Sequence, residues 1–123
     1  MGQLAEAERH HRIALEQPAE VGNAHLRAEI LNELGTTLHA AGDPGAAGCH
    51  AEALELATSS GFVYFQGRAL AGLADSVRDE QPHLARRYLE HALAVFTKMD
   101  IPARHDIARQ LDELRERPLA TAS

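Results

Sequence analysis

The side chains best able to do chemistry in this chain are its histidines and its one thiol. His10 and His11 stand side by side, and Cys49 precedes His50. Imidazole and thiolate both bind zinc, but zinc needs three or four donors converging on one point. The eight histidines include no His-x-x-x-His pair, and there is no second cysteine. A Cys49–His50 nucleophile fails for another reason: neighbours in a helix point to different faces. The pair also lacks an oxyanion device and an orienting group. Residues 42–48 read GDPGAAG, yet they lack the Lys-Ser/Thr and the preceding strand of a phosphate loop. The expectation is a non-enzyme with no metal and no cofactor.

Charge narrows the partners. Twelve Lys and Arg stand against 18 Asp and Glu, a formal charge of −6. Phosphate backbones need clustered cations, and the best basic patch, Arg86-Arg87, is flanked by Glu80 and Glu90. That pattern reads as a solvated helix face, so no direct nucleic-acid contact is expected. A single cysteine excludes an intrachain disulfide framework and fits a reducing compartment, hence a cytoplasmic location. No apolar run approaches a membrane span, and MGQLAEAERHHR lacks the apolar centre of a signal peptide. Lys98 is the only lysine beside eleven arginines, a bias of GC-rich bacterial coding.

The elements that must hold these residues are helices. Leu31, Leu34, Gly35 and Leu38 recur at helical spacing, the turn Gly42 to Gly45 breaks the pattern, and Ala46, His50, Ala53 and Leu54 resume it. Gly35 and Ala46 are small where two antiparallel helices would approach. The pattern then repeats. Ala14, Ala53 and Ala92 are equally spaced (53 − 14 = 39 and 92 − 53 = 39), as are Ala7, Ala46 and Ala85. The same step joins Leu31 to Leu70, Leu34 to Leu73, Gly35 to Ala74 and Leu38 to Val77. A fixed period of this size marks a helical array.

In chain order, the reading gives a half repeat at 3–17, beginning in mid-repeat as if cut from a longer protein. Pro18 closes it, and Gly22-Asn23 supply a turn and N-cap. Helical hairpins follow at about 24–58 and 62–98, with Ser59-Ser60 expected to cap the second. The β-prone run Phe62 to Phe65 falls at a helix start. Asp100 reads as the N-cap of a helix at 102–116, with Pro102 in its first turn. Ile107, Leu111 and Leu114 give that helix one apolar face, as a terminal cap requires. Residues 1–116 form the repeat domain, and 117–123 a disordered tail.

Leu31, Leu34-Gly35 and Leu38, then Ala46, Ala53 and Leu54, resemble the tetratricopeptide repeat (TPR) consensus. The departures are leucine at the Trp and Tyr positions (Leu31, Leu38), and His11, His50 or Leu89 at the aromatic position of the second helix. The period is also 39 rather than the usual 34. HEAT-type hairpins are the structural alternative. The Gly-Asp turns, AERHHRIAL and the FTKMDIP segment are similar to the C-terminal TPR region of bacterial transcriptional regulators of the Streptomyces antibiotic regulatory protein type, and of related signalling ATPases. The resemblance implies an all-α array of antiparallel helix–turn–helix repeats whose first helices line a concave groove. By it, Glu29, Asn32, Thr36 and His39 of one repeat and Arg68, Ala71, Asp75 and Arg78 of the next would line that groove. Polar residues at this spacing are also the wet face of any amphipathic helix. They do not form the carboxylate clamp of chaperone-binding TPRs.

The function expected is a non-catalytic protein-interaction module of a larger regulator, gripping a partner protein, a peptide segment or a domain of its own parent. A sensor for a peptide or small ligand is one alternative. Self-association is the other, through an exposed N-terminal helix carrying Leu4, Ala7 and Ile13 into a homodimer.

Overall fold

The structure, a computed structural model, describes residues 5, 6, 8–10, 12 and 24–116. The chain is all-α: among the described residues there is no strand, and five helices carry 24–116. They are α1 (Ala24–Ala40), α2 (Ala46–Ser60), α3 (Val63–Val77), α4 (Pro82–Lys98) and α5 (Ala103–Glu116). Residues 5, 6, 8–10 and 12 are helical too, and Arg12 pairs with Glu8 at 2.7 Å. The expected Leu4, Ala7 and Ile13 contact surface, the Gly22-Asn23 turn and the 117–123 tail lie outside the described residues. No described helix is long and apolar enough to cross a membrane.

Connections of a few residues make consecutive helices fold back on each other. α1 packs on α2, α2 on α3, α3 on α4 and α4 on α5, while α1 also touches α3. The apolar stripes face inward as their spacing requires: Leu31, Leu34 and Leu38 of α1 are buried, as are Ala46, Ala53 and Ala57 of α2. The largest cluster joins Leu70 and Ala74 of α3, Leu89 and Phe96 of α4, and Ile107, Leu111 and Leu114 of α5. Alanine and glycine let the helices come close, and bulk is placed opposite the gaps. A Cβ on Gly67 would collide with the Phe96 ring.

Three helix ends, those of α1, α2 and α4, follow one device. α1 ends with Gly42 left-handed (φ 75°), its N–H on the His39 carbonyl, and Asp43 N–H on Leu38. α2 ends on Gly61 (φ 76°), with Gly61 N–H on Thr58 and Phe62 N–H on Ala57. α4 ends on Asp100 (φ 55°), with Asp100 N–H on Thr97 and Ile101 N–H on Phe96. These paired bonds are Schellman closures, which satisfy the last carbonyls of each helix.

Two caps expected from the sequence are not formed. Ser59 and Ser60 belong to the last turn of α2, where Ser59 Oγ donates to the Leu56 carbonyl. The residue before α3 is Phe62, which makes no side-chain cap bond. Asp100 does not start α5; it terminates α4, and its carboxylate pairs with Arg104 at 3.1 Å. Pro82 opens α4, where its missing N–H leaves nothing unbonded.

Candidate functional site: the polar face of α1, α3 and α5

Seven of the eight residues expected to line a groove hold side chains on or near the surface. Thr36, His39 and Asp75 are exposed, and Glu29, Arg68, Ala71 and Arg78 are half-buried. Thr36 turns inward on its own helix, donating from Oγ1 to the Asn32 carbonyl at 3.0 Å. Asn32 does not belong with them. It is 1% exposed and part of the core, a correction to the amphipathic reading that put it on the wet face.

The reason is His50, 3% exposed and wedged between helices. A Cβ on Gly35 of α1 would come 2.6 Å from its Nε2, and one on Gly72 of α3 would collide with the same ring. The ring therefore fills the space that two glycines leave open. Its Nδ1 lies 3.0 Å from Asn32 Oδ1, while Asn32 Nδ2 donates over 3.5 Å to the Phe65 carbonyl. With the amide oxygen facing the ring, Nδ1 carries the proton and donates. Three helices are thereby tied by one buried polar pair. Burial first, then the positive charges of Arg68 and His39, push the imidazole pKa down to about 4, so it stays neutral. Asn32 and His50 are structural partners, and the space beside Gly35 goes to His50 rather than to Ala46.

The charges on the polar face divide into satisfied and unsatisfied. Arg78 reaches across to α5 and binds Glu113 at 3.2 Å. Arg109 of α5 bonds both Glu113, at 2.8 Å, and Asp106. The Arg109 and Gln110 bonds hold the Asp106 carboxyl below its ordinary pKa. Arg68 and Asp75, by contrast, make no ion pair among the described residues. The Arg68 guanidinium sits 6.0 Å from the Tyr64 ring centroid. Asp75 stands open as a residue, yet protein flanking its carboxylate pushes its pKa up, against the pull of His39 and Arg78 and with the push of Asp106.

Beyond Tyr64 the face runs into an apolar cleft of about 420 Å³, lined by His25, Gly61, Phe62, Val63, Tyr64, Phe65 and Met99. The His25 ring meets Phe62 and Phe65 edge-on, at 5.3 and 4.7 Å between centroids. Val63 (42%), Tyr64 (37%) and Met99 (40%) are exposed apolar side chains of the cleft.

Sequence reasoning missed the His50 wedge, the Tyr64–Arg68 stack and the part of α5 in the face. A signal for the wedge existed: a glycine in mid-helix at 72 marks a close approach. Burial pushes the Cys49 thiol pKa up, which disfavours its thiolate. No group of three or more His, Cys, Asp or Glu is gathered to hold a metal among the described residues. Compared with models of known protein families, with curated proteins and with solved structures, the chain matches none.

Proposed function

We propose that this chain is a non-catalytic interaction module, a TPR-like array of helical hairpins that grips a partner on the polar face of α1, α3 and α5. Support for the repeat comes from equivalent positions with equivalent environments. Leu31 and Leu70, Leu34 and Leu73, Ala46 and Ala85, and Ala53 and Ala92 are buried pairs one period apart. The left-handed closures at Gly61 and Asp100 keep the same step (100 − 61 = 39). In this reading α5 is the terminal cap. The wider setting, a cytoplasmic regulator of transcription, belongs to the same proposal and rests on residue resemblance alone.

One observation carries the binding role: among the described residues Arg68 and Asp75 are left without ion-pair partners, on a face where Arg78 is paired across helices. A guanidinium and a carboxylate held this way are open to groups brought by a partner. The test is affinity capture with wild type beside an Arg68→Ala/Asp75→Ala variant, both checked for equal thermal midpoints. A specific partner should be retained by wild type and lost by the variant. Equal retention by both rejects the face. Asn32→Ala is unsuitable here, because it would break the buried pair with His50.

A further inference from the structure

We infer that the partner element read by this face is an α-helix presenting a bulky apolar side chain, an acid and a base in that order along α3. The inference rests on the interaction-module reading above and specifies its ligand. Tyr64, Arg68 and Asp75 lie on one stripe of α3, spaced four and then seven residues. On a helix those steps correspond to about 6 Å and about 10 Å. The stripe starts at the apolar cleft bounded by Phe62, Val63 and Met99. One turn on stands a cation whose described partner is the Tyr64 ring, and two turns beyond that an acid with no hydrogen bond among the described residues. Between them the stripe carries only the small Ala71, so it has no large side chain to hold a partner off.

The complementary charge order is opposite in sign: acid over Arg68, base over Asp75. Helical geometry follows from the spacing. A partner helix lying along α3 sets three side chains on one face at the same four- and seven-residue steps. An extended strand would cover the distances in steps of about two and three residues, and the odd step turns the third side chain away. The exposed apolar wall of the cleft supplies area, and the two charges supply direction.

The test uses short helical peptides on an alanine–glutamine background. One carries Leu, Glu and Lys at i, i+4 and i+11; a second has the same three in reverse chain order; matched controls exchange Glu and Lys. Binding to the full chain is measured at low salt by fluorescence anisotropy. Wild type should bind one of the first two peptides about tenfold more tightly than its charge-exchanged control. An Arg68→Glu/Asp75→Arg variant should invert that order, and high salt should erase it. If the exchanged variant does not fold, Tyr64→Ala replaces it. That variant should weaken binding of the Leu peptide and leave a Leu→Ala peptide unaffected.

Equal binding of both charge orders, or an order unchanged in the exchanged variant, overturns the inference. So does failure of every peptide to bind. Loss of a captured partner from the Arg68→Ala/Asp75→Ala variant would in that case leave the interaction-module reading standing.

Discussion

At the scale of residues, His50 decides more than any other side chain. A polar ring in a core of leucine and alanine is tolerable only with a hydrogen-bond partner, and Asn32 supplies it. The ring bonds neutral Asn32 and feels Arg68 and His39, and among the described residues no acid acts on it to favour the imidazolium. A dependence on pH follows. In the unfolded chain His50 titrates near 6.5, and in the fold at about 4. Above 6.5 both states hold it neutral and its contribution is complete. Between 6.5 and about 4 the unfolded chain binds a proton that the fold refuses, so stability falls with pH. The whole loss is of order 3 kcal/mol, at about 1.4 kcal/mol per pH unit. Urea midpoints measured from pH 7 to pH 4 should therefore drop more steeply for wild type than for His50→Leu, which replaces the titrating ring with an apolar side chain. Parallel curves would assign the acid sensitivity to carboxylates instead. Periodicity could not have revealed this pair, because its members lie on different helices, eighteen residues apart. Asn32 on its own looks like any polar residue of a wet face.

At the scale of elements, the sequence was a good guide to helices and a poor one to their ends. The stripes through Leu31 and Leu38, or Leu70 and Leu73, depend on local spacing, and that spacing is what burial selects. Turn chemistry is ambiguous in a way that spacing is not. Asp100 and Pro102 fit the start of α5, yet the Phe96, Thr97 and Ile101 backbone groups close α4 first and leave Asp100 left-handed. A non-glycine residue there is strained by roughly 1 kcal/mol, somewhat less for Asp. The lost Asp100–Arg104 pair is exposed and worth little. Asp100→Gly should accordingly stabilise the protein by about 0.5 kcal/mol, while Gly61→Ala, at the equivalent closure, should destabilise it by about 1 kcal/mol. Chemical denaturation measures both. A destabilising Asp100→Gly would mean that the Arg104 pair matters more than the backbone strain.

At the scale of the whole molecule, helical order was legible and the use made of the surface was not. The role of α5 illustrates the division. Its apolar face of Ile107, Leu111 and Leu114 predicts a cap, and all three residues are buried. That its other side would carry Glu113 to Arg78 depends on the angle at which it crosses α3, which no local pattern encodes. Stability should be distributed as contacts are, between neighbours. α5 shares its cluster with α3 and α4, whereas Leu34, Leu38 and Ala46 form a separate cluster between α1 and α2. Leu111→Ala removes a fully buried side chain and should cost about 2–5 kcal/mol. Native-state hydrogen exchange would show where that cost falls. Amides of α3, α4 and α5 should lose protection together, and those of α1 should lose much less, since no cluster joins α1 to α5. An equal loss along all five helices would instead mean that the His50 wedge, which ties α1 and α2 to α3, makes them unfold as one unit.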